Sequence, residues 1–146
     1  MKKTLILFVM AIMGTVGQSH AQSTDEAAVK RVIQEAYIDG IQNLGDLDAV
    51  RNGFHPDFEM LINRNGQLSK LPISQWLERL EQRKANPPAT APPKVTGKFL
   101  DVDITGNAAM VKLELHRENR LIFTDYLLLY KFGNSWRIVS KSYFQH

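Results

Sequence analysis

The last third of the chain is the segment that most limits its fold. Residues 95–105, 108–118, 121–132 and 135–146 are long runs rich in β-branched and aromatic side chains. They are separated only by Gly106-Asn107, a turn near Asn119, and Gly133-Asn134. Strands that long, joined by connections that short, pair with their chain neighbours as an antiparallel meander. A sheet of that kind has two faces, and the residues ahead of it must cover one of them. The expected fold is therefore α+β, with helices packed on one face of a curved antiparallel sheet.

The preceding residues supply those helices. Val29, Val32, Ile33, Ala36, Tyr37, Gly40, Ile41 and Leu44 recur at helical spacing, with Lys30, Arg31, Gln34, Glu35, Gln42 and Asn43 on the other side. This is an amphipathic helix of about five turns. Ser23 with Glu26 has capping-box spacing at its start, and Gly45 ends it. Asp46 is placed to cap a short second helix through Asn52. His55-Pro56-Asp57 reads as a turn, and residues 58–62 and 67–71 as a hairpin around Asn63-Arg64-Asn65-Gly66. Ser74 is placed to cap a third helix through Ala85, with Ile73, Trp76, Leu77 and Leu80 on its apolar face. Residues 86–93 hold four of the six prolines and form a stiff surface loop.

The N-terminus has a different character. Met1-Lys2-Lys3, an apolar run from Leu5 to Val16, and the small-x-small triplet Ser19-His20-Ala21 occur in the order of a secretory signal peptide. The run falls short of the roughly 20 apolar residues that a membrane anchor needs. We expect residues 1–21 to be a signal peptide cleaved after Ala21, residues 22–146 to be the domain, and the location to be periplasmic or secreted, without a membrane attachment after cleavage. Loss of Lys2 and Lys3 takes the 18 Lys and Arg down to 16 against 15 Asp and Glu, a net charge of +1. A near-neutral domain has no broad basic field for nucleic acid. The chain has no Cys, which removes disulfides and Cys-based zinc or nucleophilic chemistry. Neither a metal nor another cofactor is called for. His55 and Asp57, split by Pro56, are better explained by turn chemistry than by metal ligation.

Alternation assigns sheet faces. In the final strand Trp136, Ile138, Ser140, Ser142 and Phe144 share one side, with Arg137, Val139, Lys141, Tyr143 and Gln145 on the other. In the strand before it, Thr124, Tyr126, Leu128, Tyr130 and Phe132 oppose Phe123, Asp125, Leu127, Leu129 and Lys131. Neither strand has a purely polar face, so the face away from the helices is expected to meet a second copy in a homodimer.

The order of elements is familiar. The stretch from Tyr37 to Phe58, with its Asn43-Leu44-Gly45-Asp46-Leu47-Asp48 turn and Phe54-His55-Pro56-Asp57-Phe58, resembles the nuclear transport factor 2-like superfamily, which includes ketosteroid isomerase and polyketide cyclases. Phe123-Thr124-Asp125-Tyr126-Leu127-Leu128-Leu129 and Gly133-Asn134-Ser135-Trp136-Arg137-Ile138-Val139-Ser140-Lys141 resemble, more narrowly, its putative lumazine-binding branch. The resemblance implies a cone-shaped, cystatin-like roll: a bent sheet wraps the first helix and leaves a pocket. It also implies that Tyr37 lies near the isomerase tyrosine, offset by one extra residue before Gly45. The isomerase base position falls on Ile62, which accepts no proton, while Glu59 alternates to the opposite face. Asp125 is left as a stand-in for the second acid.

Three functions are compatible with these residues. The first is an exported domain binding a small apolar or heteroaromatic, lumazine-like molecule without catalysis, with Tyr37, Trp76, Tyr126 and Ser140 as ligand contacts. The second is an isomerase- or dehydratase-type enzyme using Tyr37 with Asp125 or His116. The third is a protein-interaction module using the sheet face. His116 alternates with Lys112 and Glu114 and is expected on the outer face, and Lys141 is expected to pair with an acid across the sheet.

Overall fold

The computed structural model describes residues 16–146, with side chains from Gln22 onward. The leader expected at residues 1–21 falls outside them, apart from the backbone of 16–21. Helix α1 spans Val16–Val32 and runs directly into a π-helical segment, Ile33–Gln42. The helix is already formed at Ser23, which therefore lies inside it and not at its cap. After a bend come α2 (Leu47–Gly53), β1 (Phe54–Arg64), β2 (Gln67–Pro72) and α3 (Ile73–Ala85). Strands β3 (Val95–Thr105), β4 (Ala108–Arg117), β5 (Arg120–Phe132) and β6 (Ser135–Gln145) complete the chain.

The strands form one curved, unclosed six-stranded sheet in the order β2-β1-β6-β5-β4-β3, with the helices on its inner side. All pairs are antiparallel except β1 with β6, which run parallel. Local chemistry explains most boundaries. Asp46 caps α2, accepting a 2.8 Å hydrogen bond from the Asp48 N–H. Asn65 and Gly66 both take positive φ, as a two-residue hairpin turn requires. Helix α3 starts at Ile73 after Pro72, with no side-chain cap from Ser74. His55, Pro56 and Asp57 lie within β1, at an irregularity in its pairing with β6, and His55 stacks on Phe132.

Two departures from regular geometry shape the interior. The first is a set of bulges. Leu100 in β3, Ile122 in β5 and Val139 in β6 are each passed over in the pairing with a neighbouring strand. An extra residue bends the strand, raises its twist and reverses which side chains face inward. In β6 the inward set is Trp136 and Ile138 before the bulge, then Lys141 and Tyr143 after it. The second departure is the π segment. Its i→i+5 bonding shows in the Asn43 N–H donating to the Ile38 carbonyl at 3.1 Å. The wider turn brings Ile38 into the core beside Ile33, Ala36, Tyr37 and Ile41. Ile38 lies over Gly97 of β3, where a Cβ would come within 2.3 Å of its Cδ1. Asn43 then ties the helix end to β3, donating to the Val95 carbonyl at 2.9 Å and accepting from its N–H at 2.8 Å.

The outer face of the sheet carries an apolar strip along β5, beside charged residues such as Lys112 and Glu114 of β4. Tyr126, Leu128, Tyr130 and Phe132 project from β5 with 44–49% of their surface exposed, and Phe144 of β6 is 62% exposed.

Candidate functional site

A cleft of about 180 Å³ opens between the π segment, α3 and the inner face of β5 and β6. Tyr37, Gln42, Met60, Trp76, Phe123, Lys141, Tyr143 and Gln145 line it. Each element delivers its residues for a definable reason. Tyr37 lies on the buried stripe of the first helix. Gln42 is five residues on, which in an α-helix would put it about 140° round the axis. The π geometry brings residue i+5 beneath residue i, so both face the cleft. Trp76 comes from the first turn of α3 and meets Tyr37, Phe54 and Phe58 with ring centroids 6.2–6.3 Å apart. Lys141 and Tyr143 face inward because Val139 has reversed the alternation of β6.

A buried polar triad forms the wall. The Tyr37 hydroxyl donates to Asp125 Oδ2 at 2.7 Å, and Lys141 Nζ donates to Asp125 Oδ1 at 2.5 Å. The β5–β6 register sets Lys141 opposite Leu127, one inward position from Asp125, so the pair is diagonal across the ladder. The sequence expectation of an acidic partner across the sheet is met by this contact. Asp125 is fully buried and Lys141 is 4% exposed. The ammonium also lies 4.4 Å from the Tyr143 ring centroid and 5.3 Å from that of Tyr37, within cation–π range. Burial pulls the Lys141 ammonium below its ordinary value, against the opposing charge and hydrogen bond of Asp125. Burial pushes the Tyr37 phenol well above its ordinary value, and the Asp125 charge and hydrogen bond add to that shift. Tyr37 therefore remains a protonated donor near neutral pH, directed at Asp125.

The other candidates fall in different places. Tyr126 stands on the outer face with Lys112 near its ring, away from the cleft. Ser140, beside the bulge, donates to the Glu59 carbonyl at 3.2 Å and does not line the cleft. His116 lies on the outer side of β4, with Nε2 3.2 Å from Glu114 Oε2. Ile62 packs against the core from β1, whereas Glu59 points to the far face and pairs with Lys70 at 2.6 Å. The structure thus brings Tyr37 and Trp76 to one cleft, with Asp125 buried behind Tyr37 and Lys141, and separates them from Tyr126, Ser140 and His116. Sequence reasoning missed Gln42, Met60, Phe123, Tyr143 and Gln145 as lining, and it did not put Lys141 there. The extra residue before Gly45 was the available signal for Gln42, since a single insertion in a helix is accommodated by π bonding. Among the described residues no group of three or more His, Asp or Glu is arranged to hold a metal, and no helix is long and apolar enough to cross a membrane.

A helix-filled, curved sheet with a cleft at its mouth defines the nuclear transport factor 2-like class, and solved structures agree. A protein of unknown function from Shewanella baltica superposes with a TM-score of 0.68 at 22% identity, over 85% of this chain and 95% of its own. One from Silicibacter pomeroyi does so with a TM-score of 0.68 at 22% identity, over 86% and 98%. A third, from Methylobacillus flagellatus, gives 0.62 at 23% identity, over 94% and 99%. At such identities the likeness is one of fold. Within that class the chain belongs to the family described as "Putative lumazine-binding", whose profile matches residues 24–144. No curated protein matches it.

Proposed function

We propose that this domain binds a small, flat, uncharged heteroaromatic molecule in the cleft beside Tyr37 and Lys141. The observation that carries the reading is the cleft's combination of size and lining. Its volume of about 180 Å³ is slightly larger than the ~150 Å³ cavity that accepts benzene and below the ~300 Å³ at which drug-sized pockets begin. One or two fused rings suit it, and a four-ring steroid does not. Trp76, Phe123 and Tyr143 offer aromatic surfaces, while Gln42 and Gln145 offer amides that both donate and accept. Asp125 and Lys141 cancel in charge, which favours a neutral ligand. The family description supports a pteridine such as lumazine as the first compound to test. An isomerase role would need the Tyr37 hydroxyl free for substrate and a base near Ile62; the first is engaged by Asp125 and the second is apolar.

The decisive experiment is a titration with lumazine and with a steroid, monitored by thermal melting and by Trp fluorescence. Lumazine should raise Tm by mass action and quench Trp76, and the steroid should do neither. Trp76→Phe should remove the quenching while Trp136, which donates to Asp25 and does not line the cleft, still reports folding. Absence of any shift with lumazine, pterin or other bicyclic heteroaromatics would refute the reading.

Two further elements belong to this proposal. The apolar outer face of β5 and β6 pairs with a second copy to form a homodimer, the arrangement that two-fold symmetry favours. Residues 1–21 direct export to the periplasm or the exterior and are removed after Ala21.

A further inference from the structure

Among the described residues, Asp125 and Lys141 are the charged side chains buried in the core. A buried ion pair is a poor device for stability alone, because apolar residues of similar volume usually serve as well or better. This pair also has an unusual placement. The amine lines a cleft walled by aromatic rings, one carboxylate oxygen holds it, and the other oxygen holds a phenol. We propose that Lys141 captures a carbonyl group of the bound molecule as a protonated imine, so that the ligand class of this cleft is an aromatic aldehyde or ketone. The proposal rests on the small-molecule reading above and specifies its chemistry.

The step balances without any co-reactant. Asp125 takes one proton from the ammonium, and the freed Nζ lone pair forms a bond to the carbonyl carbon as the C=O π pair moves onto oxygen. The oxygen then receives two protons, both originating on Nζ and relayed by Asp125 with Tyr37 beside it. It leaves as water, and the remaining nitrogen lone pair closes the C=N bond. The ammonium and the carbonyl become an iminium and water, with charge conserved. Conservation of charge is the physical advantage of this site. The iminium keeps one N–H for Asp125 Oδ1, so the buried carboxylate never loses its counter-ion. A neutral imine in the same position would leave that carboxylate with Tyr37 alone, at the cost of an uncompensated buried charge. Burial also favours release of the ammonium proton, which the addition needs.

The test uses the full chain, 2-naphthaldehyde as a bicyclic carbonyl probe, and cyanoborohydride to fix any imine as a stable amine for peptide mapping. Lys141 should be labelled ahead of exposed Lys94 and Lys98, and an excess of 2-naphthylmethanol, which fills the cleft but forms no imine, should protect it. Lys141→Arg should abolish the label. Should that variant not fold, Tyr37→Phe keeps the Asp125–Lys141 pair and the Asp125 relay, and peptide mapping of Tyr37→Phe should still place the label on Lys141 ahead of Lys94 and Lys98. A raised Tm with the alcohol while Lys141 stays unlabelled would overturn imine capture and leave binding intact. Failure of both the alcohol and the aldehyde to engage the cleft would overturn capture together with the binding reading on which it rests. Labelling of Lys94 and Lys98 at rates equal to Lys141, in the unsubstituted chain or in Tyr37→Phe, would also count as refutation.

Discussion

The two faces of β5 break opposite rules. Inward, Asp125 is fully buried and paired with Lys141 in otherwise apolar surroundings. Outward, Tyr126, Leu128, Tyr130 and Phe132 present a continuous apolar strip to solvent. Either anomaly is unfavourable for an isolated monomer: buried charge carries a desolvation penalty, and exposed apolar surface forgoes the hydrophobic gain. Each is put to use in the proposals above, the inner pair in holding a ligand and the outer strip in pairing with a second copy. The contrast teaches that alternate residues of one strand answer to different surroundings.

The largest effect should come from unbalancing the inner face. Asp125→Ala leaves a buried ammonium unpaired and should lower stability by about 3–5 kcal/mol, read from urea denaturation. Replacing both charges and the phenol bonded to them, in the Tyr37→Phe/Asp125→Leu/Lys141→Met triple variant, should restore stability to wild type or raise it by about 1–4 kcal/mol. That variant should also lose any ligand-induced rise in Tm. A triple variant as unstable as Asp125→Ala would show that the polar cluster serves the fold, and the comparison with the outer face would fail.

Tyr37→Phe is gentler and should cost about 1.5–3 kcal/mol, the range for a hydrogen bond to a charged group. Its pH dependence sharpens the point. The folded state holds the Tyr37 proton more tightly than the unfolded chain, whose phenol titrates near 10.0. The stabilisation is therefore complete below pH 10 and is lost as pH climbs toward the raised folded value. Lys141 acts in the opposite sense: its folded value lies below 10.5, so stability rises with pH between that value and 10.5. Because Lys141 is common to both proteins, the difference between wild type and Tyr37→Phe isolates the phenol. The wild-type advantage should shrink above pH 10 in denaturation curves, and an advantage that stays constant would contradict the assigned environment.

The outer face should show the smallest change in stability. Leu128→Glu with Tyr130→Lys alters exposed positions and should move the stability of the single chain by no more than about 0.5 kcal/mol per site. Sedimentation should nevertheless show a dimer becoming a monomer. If the unsubstituted domain sediments as a monomer, the outer strip needs another explanation.

Much of the fold is legible in the chain itself. The helical stripe, the Asp46 cap, the Asn65-Gly66 turn and the four closing strands arise from local chemistry. β5 keeps a regular alternation from Phe123 on, which turns Asp125 inward and puts Tyr126, expected as a ligand contact, on the outer face. Tyr37 and Trp76 at the cleft, and His116 on the outer side of β4, agree with side-chain periodicity. Ser140 shows where that reading stops. Alternation from Trp136 and Ile138 points it toward the interior, and in the structure it lies at the bulge, bonded to the β1 backbone. Gln42 shows the same limit on the helix, where a 3.6-residue period assigns it to the polar side.

The sequence by itself determined the elements, their order and the two-sided character of the sheet, since turn residues and hydrophobic periods act over a few neighbouring positions. Tertiary structure decided which polar groups meet. A bulge at Val139 exists only in relation to the strands on either side of it, and the π turn brings Ile38 onto Gly97. Each adds one residue to a repeat and so turns every later side chain of its element to a new face. Lys141 and Gln42 reach the cleft for that reason, through pairing and packing between segments far apart in the chain.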